Sequence, residues 1–246
     1  MVQVQIIGSG GSAPPPGYGG PSILIDTGST RVILDCGENC VSTLGKLGRD
    51  PCRIDYVYIS HIHFDHWAGL PSLAVKLLER GCPRLTVLAH KEVATSLNDY
   101  LSTFMPSSIV YELKEVENEE IDMGEYTGKL FKTTHKVPTY GVVITDKKNG
   151  EAKLVYTSDT GYTSSIRKLV QSSPKALIAD TTLPAKMIDV AVKTGHMTVS
   201  QVLKLADDID PDITIAFHLT ESSLNELMEN KAKGLIIPRD GMVFNI

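Results

Sequence analysis

The hydrophobic pattern begins with period two. Over Val2-Gln3-Val4-Gln5-Ile6-Ile7 polar and apolar positions nearly alternate, which predicts a strand over 2–7. Apolar runs at 22–26 and 31–35 predict two more strands, joined through the hairpin signal Asp26-Thr27-Gly28-Ser29-Thr30. A short helix is expected over 41–48. Val57-Tyr58-Ile59, β-branched and aromatic, reads as a buried strand ending at Ser60. A helix near 71–80 stops at Gly81-Cys82-Pro83. A strand over 85–89, a helix over 91–103, and strands near 109–113 and 128–134 follow. The acidic run Glu115 to Glu120 between the last two reads as a solvated loop or edge. Lys147-Lys148-Asn149-Gly150 predicts a hairpin between strands at 142–145 and 153–157.

After residue 160 the rhythm changes. Helices at 163–171, 198–208 and 221–228 alternate with strands at 176–180, 212–217 and within 234–244. A β-rich first half and a βα second half predict an α/β fold of sheets packed face to face with helices outside. No period of 20–50 residues recurs, and no linker interrupts the pattern, so one domain over 1–246 is expected.

Composition adds mainly exclusions. A 246-residue chain with 42% hydrophobic and 22% charged residues is ordinary for a soluble protein. Its net charge of −5 and the lack of a Lys/Arg block argue against a protein built to grip nucleic acid, though local basic patches remain open. The N-terminus lacks a signal-peptide pattern, and no run approaches the roughly 20 apolar residues that span a bilayer. Cys36, Cys40, Cys52 and Cys82 are expected as reduced thiols in a cytoplasmic protein without membrane contact. The Gly/Pro-rich loop from Gly8 to Gly20 leads into a strand and lacks a Lys-Ser/Thr ending, so it is no P-loop.

The chemistry concentrates in one stretch. His61-Ile62-His63-Phe64-Asp65-His66 holds three of the seven histidines and an aspartate directly after a strand. Leaving an extended chain, His61 and His63 aim to the same side. Asp65 and His66 follow where Gly69 and Leu70-Pro71 turn the chain into a helix, so one loop offers donors in two directions. His135, Asp159 and His218 each follow a predicted strand, and polar groups at strand ends converge on one rim. Imidazole and carboxylate suit Zn²⁺, Mn²⁺ or Fe²⁺ without a Cys ligand. Asp35 ends a strand and reads, from the residues alone, as a cap for the turn at Gly37. In Gly195-His196-Met197-Thr198, Thr198 and Gln201 form a capping box at a helix start. His90 fits no motif and reads as surface or structural; Trp67 reads as packing for the metal loop.

These motifs resemble those of the metallo-β-lactamase-fold hydrolase superfamily, whose signature is His-x-His-x-Asp-His plus a later His, Asp and His. The resemblance runs from the strand pair ending in Asp35 to His218. Within the superfamily the chain is most similar to the phosphodiesterase branch that includes ribonuclease Z. Leu34-Asp35-Cys36-Gly37-Glu38, His66 to Leu70 with Pro71, His135-Lys136-Val137-Pro138-Thr139-Tyr140-Gly141 and Gly195-His196-Met197-Thr198 carry that similarity.

The resemblance implies a four-layer αββα sandwich of two mixed sheets holding two divalent ions, usually Zn²⁺, with Mn²⁺ or Fe²⁺ as alternatives. His61, His63 and His135 would hold one ion; Asp65, His66 and His218 the other; Asp159 would bridge. Asp35 would support the site from behind. A hydroxide bridging the ions would attack a phosphodiester, either an RNA 3′ end or a cyclic nucleotide or cyclic phosphate. Asp65 would also accept a proton from the water, and His196 would protonate the departing oxygen. Asp180, in Ala179-Asp180-Thr181-Thr182, stands where the branch has a His-Glu-Ala-Thr segment that orients this histidine. A homodimer is implied as well.

Three departures bear on substrate. No Gly- and basic-rich arm is inserted between the motifs, Pro14-Pro15-Pro16-Gly17-Tyr18 replaces a Pro-Thr…Arg-Asn pattern, and Leu219-Thr220-Glu221 replaces Ser-x-Arg-Tyr. The alternatives are a metal-dependent hydrolase of a small lactone or thioester and a non-hydrolytic di-iron redox protein. Di-iron members of the fold carry Glu at the second His of the loop, where this chain keeps His63.

Overall fold

A computed structural model describes residues 1–104, 111–230 and 234–246. Six strands build the first sheet in near-sequential order: β1 (Gln3–Gly8), β2 (Ser22–Asp26), β3 (Arg31–Leu34), β4 (Tyr56–Ile59), β5 (Leu85–Ala89) and β6 (Tyr111–Glu115). A second sheet takes β7 (Glu120–Met123), β8 (Tyr126–Lys132), β9 (Tyr140–Asp146), β10 (Ala152–Tyr156), β11 (Ala176–Asp180), β12 (Ile213–Phe217) and β13 (Leu235–Ile236). The chain then returns as β14 (Val243–Asn245), which pairs antiparallel with β1 and completes the first sheet.

Both sheets are mixed. β1 to β3 and β7 to β10 are antiparallel, whereas β3 to β6 and β10 to β13 are parallel. Parallel neighbours end on the same side, so each sheet offers a rim of carboxyl-terminal strand ends. That rim is where an α/β protein can gather loop-borne side chains.

Period-two burial sorts the second sheet into two cores. Leu154 and Tyr156 of β10, with Ala176 and Ile178 of β11, join the core shared with Ile6, Ile25, Ile33 and Val57 of the first sheet. Their neighbours Val155, Leu177 and Ala179 face outward, onto Val202, Leu205 and Ile209 of helix α5 described below. Each Val, Leu or Ile so buried contributes about 1.5–3 kcal/mol relative to exposure. Helices α1 (Cys40–Lys46), α2 (Leu70–Glu79) and α3 (Lys91–Phe104) cover the other face of the first sheet. Helices α4 (Ile188–Thr194), α5 (Val199–Ile209) and α6 (Glu221–Asn230) belong to the second half. The result is an αββα sandwich, as the resemblance implied.

Element by element, most expectations hold to within two residues, and four need correction. The expected helix 163–171 is a tighter 3-10 segment, Ser164–Leu169, in which Ile166 is buried. Part of the acidic run adds an edge strand, β7, whose Ile121 and Met123 face the core while Glu120 and Asp122 face water. Helix α4 was not foreseen because only Ala191 is buried, so no apolar stripe of helical period exists to announce it. Of the strand expected over 109–113, residues 109–110 lie outside those described, and β6 begins at Tyr111.

The expectation for the cysteines needs correction as well. Cys36 and Cys40 are buried free thiols, but Cys52 and Cys82 form a disulfide. The 3-10 turn Pro51–Arg53 packs beside α2, and the loop after α2 brings Cys82 back to a Cα–Cα distance of 5.2 Å from Cys52. That separation lies in the range a disulfide requires. Among the described residues, no helix is long and apolar enough to cross a membrane.

Candidate metal centre

Three residues at the strand ends adopt the left-handed conformation that non-glycine residues rarely take. Asp35 (φ 57°) follows β3, Ser158 (φ 52°) follows β10, and His218 (φ 57°) follows β12. All three are buried at the rim. Such conformations cost on the order of 1–3 kcal/mol each and persist where the surroundings over-determine them. Here each turns a polar side chain inward.

The rim gathers two sets of donor atoms around one carboxylate. His63 Nδ1 lies 3.1 Å from both His61 Nε2 and His135 Nε2. Asp159 Oδ2 completes that set at 3.5 Å from His61 Nε2 and 3.8 Å from His135 Nε2. On the other side, Asp65 Oδ2 lies 3.1 Å from His218 Nε2 and 3.7 Å from His66 Nε2. The second oxygen of Asp159, Oδ1, faces His66 Nε2 at 3.3 Å and His218 Nε2 at 3.5 Å. One carboxylate thus presents one oxygen to each set.

The histidines are oriented from behind. His66 Nδ1 donates to Asp35 Oδ2 at 2.8 Å, and His135 Nδ1 donates to the Gly195 carbonyl at 2.8 Å. His61 Nδ1 lies 3.0 Å from Ser60 Oγ. Asp35 also accepts from the Ser60 N–H, the Ser60 hydroxyl and the Tyr156 hydroxyl, and Ser158 Oγ donates to Ser60 Oγ. An acceptor behind each ring keeps the proton on the far nitrogen and leaves the near one as a lone-pair donor.

Electrostatics favour cations here. Burial alone would lower the His66 pKa, yet Asp159 and Asp35 drive it well above the ordinary imidazole value. Burial would raise Asp65, yet His218 and His66 hold it below the usual carboxylate range. Burial, with His66 beside it, keeps His61 well below 6.5.

These residues fit a pair of metal ions. His66 Nε2 and Asp159 Oδ1 are buried with no hydrogen-bond partner among the described residues. Four donors around one ion at 2.0–2.2 Å stand about 3.4 Å apart in a tetrahedron. The separations of 3.1–3.8 Å within the two sets match that edge.

His196 stands next to both sets. Its ring lies 4.9 Å from that of His135 and stacks at 5.3 Å on that of His218. His196 Nδ1 donates to Asp180 Oδ2 at 2.8 Å, so the shorter aspartate reaches the imidazole. Burial would lower the His196 pKa, but the charge and hydrogen bond of Asp180 bring it up to about 9. Thr198 caps α5 with Gln201 in a capping box, which fixes where His196 leaves the chain.

The Gly8–Gly20 loop is held against this centre. The Gly11 N–H donates to the Leu219 carbonyl, and the Leu219 N–H donates to the Ser9 carbonyl, both at 2.9 Å. A Cβ on Gly11 would sit 2.7 Å from Cε1 and Nδ1 of His218, so only glycine lets the loop lie so close.

All ten residues singled out from the sequence come together at this rim. His135 arrives three residues beyond the end of β8, not directly at a strand end. His90 lies outside the centre, buried and stacked at 3.7 Å on Tyr140, which fits a structural role. Trp67 donates from its indole nitrogen to the Ile62 carbonyl at 3.0 Å and so braces the loop. Sequence reasoning did not pick out Ser60, Ser158, Tyr156, Thr182 or Gly11. The first two share the strand-end signal that found Asp159; the others carry no such mark.

Known proteins of this kind can now be compared. Residues 30–219 match the beta-lactamase superfamily domain. The chain belongs to the beta-lactamase superfamily. Among its superfamily relatives is a protein named Ribonuclease Z from Pyrococcus horikoshii, 30% identical over 166 residues, covering 65% of this chain and 54% of that protein. The chain thus spans about half the length of that relative. A Ribonuclease Z from Picrophilus torridus is 24% identical over 298 residues, covering 99% of this chain and 96% of that protein. The metallo-β-lactamase fold protein YhfI from Bacillus subtilis superposes with a TM-score of 0.83 at 22% identity, covering 100% of both chains. The fold is therefore the metallo-β-lactamase fold, and in sequence the chain is ribonuclease Z-like.

Proposed function

We propose that the protein is a two-metal phosphodiesterase. The observation that carries this reading is Asp159, with Oδ1 facing His66 and His218 while Oδ2 faces His61 and His135. His61, His63 and His135 would hold one ion, Asp65, His66 and His218 the other, with Asp159 available to both. Bound there, divalent ions, zinc first and manganese or iron as alternatives, lower the pKa of a shared water and neutralise charge developing on the phosphoryl oxygens.

The chain's own residues supply the rest. Asp65, held ionised beside His218, accepts a proton from the attacking water. His196 donates a proton to the departing oxygen, and the charge and hydrogen bond of Asp180 favour its protonated form. Asp180 orients that ring, and Asp35 orients His66.

The relatives named Ribonuclease Z support a phosphodiester substrate. The Picrophilus alignment runs over 298 positions against 246 residues here, so at least 298 − 246 = 52 of its positions have no counterpart in this chain. With an acidic net charge of −5, this favours a small phosphodiester or a short RNA end over a long RNA duplex. The whole chain serves as one catalytic domain in this reading. A homodimer is the proposed assembly, and the exposed apolar side chains of Phe64, Val75 and Leu78 are surface a second copy can cover. A cytoplasmic setting fits the free thiols of Cys36 and Cys40, while the Cys52–Cys82 bridge pulls the other way.

The deciding experiment is metal analysis of purified protein beside a panel of bis(p-nitrophenyl) phosphate, cyclic nucleotides, cyclic phosphates, lactones and a precursor tRNA. Two ions per chain with turnover of phosphodiesters are expected. Turnover confined to lactones or thioesters, or bound iron with an O₂-dependent activity, overturns the reading.

A further inference from the structure

We propose that Thr182 is a positioning residue that ties His218 and His196 to a single buried carboxylate, Asp180. The inference rests on the two-ion reading in taking His218 as a ligand. Asp180, Thr182 and His218 are all buried, and Asp180 accepts four hydrogen bonds. Oδ2 takes the His196 Nδ1 proton at 2.8 Å and the Thr160 N–H, next to Asp159, at 3.0 Å. Oδ1 takes the Thr182 N–H at 3.1 Å and the Thr182 hydroxyl at 2.6 Å.

Proton bookkeeping gives Thr182 its role. A hydroxyl has one proton, and the Thr182 hydroxyl has in range the charged Asp180 Oδ1 at 2.6 Å, the His218 carbonyl at 3.3 Å and the ring nitrogens His218 Nδ1 at 2.8 Å and His196 Nδ1 at 3.3 Å. The short contact to a charged acceptor wins. The hydroxyl oxygen then faces His218 Nδ1, 2.8 Å away, with a lone pair. His218 must therefore carry a proton on Nδ1, and Nε2 is the ring atom turned toward Asp65 and Asp159. His196 lies 3.3 Å from the same hydroxyl and stacks on the same ring. A displacement of Asp180 consequently moves the proposed acid and one metal ligand together. Thr220 Oγ1 donates to the Thr182 carbonyl at 2.7 Å and holds the segment in place.

The test uses Thr182→Val, which keeps the shape and removes the hydroxyl, and Thr182→Ser, which keeps the hydroxyl. Full-length apo-protein is titrated with Zn²⁺ by calorimetry, and histidine tautomers are read by ¹⁵N NMR without metal. Wild type is expected to take two ions. T182V should weaken one of them by about 10–100-fold, the scale for removing an acceptor behind a ligand histidine, and leave the other unchanged. The Nδ1–H form of His218 should be lost in T182V and regained in T182S. T182V that binds both ions as wild type does, or a valine variant whose His218 tautomer is unchanged, overturns the proposal. So does T182S failing to restore what T182V lost. Wild-type protein that binds two ions and cleaves no phosphodiester counts against the hydrolase reading alone, and the tautomer and binding results still decide this one.

Discussion

Asp35 accepts the Nδ1 proton of His66 at 2.8 Å across 31 residues of sequence, and the same carboxylate receives Ser60 and Tyr156. The first strand pair and the second sheet therefore meet on one fully buried side chain. Removing it as Asp35→Ala leaves His66, Ser60 and Tyr156 with buried donors and no acceptor. A loss of about 3–5 kcal/mol is expected, the scale for breaking a buried charged network. Urea unfolding measures it, and metal content should fall in the same variant. Unfolding at the wild-type midpoint would remove Asp35 from this role.

His196→Ala should keep both ions and lower turnover by at least tenfold, within the 10²–10⁴ range usual for a positioned acid. The deficit should be larger for a nucleotide ester than for bis(p-nitrophenyl) phosphate, because nitrophenolate leaves readily without a proton. Equal losses on the two substrates would argue for a packing role in place of acid catalysis.

Chelation should abolish activity, and Zn²⁺ or Mn²⁺ should restore it. Because ions bind the folded chain, their removal also lowers stability: at 100 times Kd one ion contributes about 2.7 kcal/mol. The melting temperature of metal-free protein should rise with added Zn²⁺ in a concentration-dependent way, independent of any substrate. A melting temperature indifferent to Zn²⁺ would contradict the two-ion centre.

Gly11→Ala tests how tightly the first loop backs the centre. Its methyl would meet the His218 ring at 2.7 Å, and the loop is pinned through Leu219, so ring or loop must shift. Affinity for one ion should drop while the other is spared. Ala at Gly17, whose Cβ would meet nothing within 4 Å but whose φ is +87°, should cost stability without touching metal binding. Calorimetry and thermal melts on the two variants separate these outcomes.

The Cys52–Cys82 bridge spans 30 residues and encloses β4, the His61–His66 loop and α2. In the chain-entropy account, closing a loop of that length stabilises the fold by about 3–4 kcal/mol. Thiol counting of unreduced, unfolded protein should find two free thiols, those of Cys36 and Cys40. Reductant or Cys52→Ser should lower the melting temperature. Four free thiols in protein purified without reductant would show that the pair does not bridge in solution.

Much of this centre was legible in the chain because its signals are local. His61-x-His63-x-Asp65-His66 lies within six residues, and the apolar runs that end before Asp35, Asp159 and His218 mark strand ends whatever surrounds them. What stayed hidden involves contacts between distant segments or the absence of a pattern. Helix α4 exposes Ile188, Val190 and Val192 and buries only Ala191, so it has no periodicity to read. The meeting of Ser60 with Ser158 spans 98 residues, and that of Asp65 with His218 spans 153.

The sequence by itself determined which side chains are available and that they stand at strand ends, because apolar alternation and motif spacing act over a few residues. Only the tertiary structure decided that the two sheets bring their rims together, that Asp159 divides its oxygens between two sets of imidazoles, and that Asp180 bonds His196 while Thr182 stands between Asp180 and His218. Those relations depend on sheet register and on left-handed turns at Asp35, Ser158 and His218. Such turns are unfavourable alone and are held only by the packing and hydrogen bonds of the completed fold.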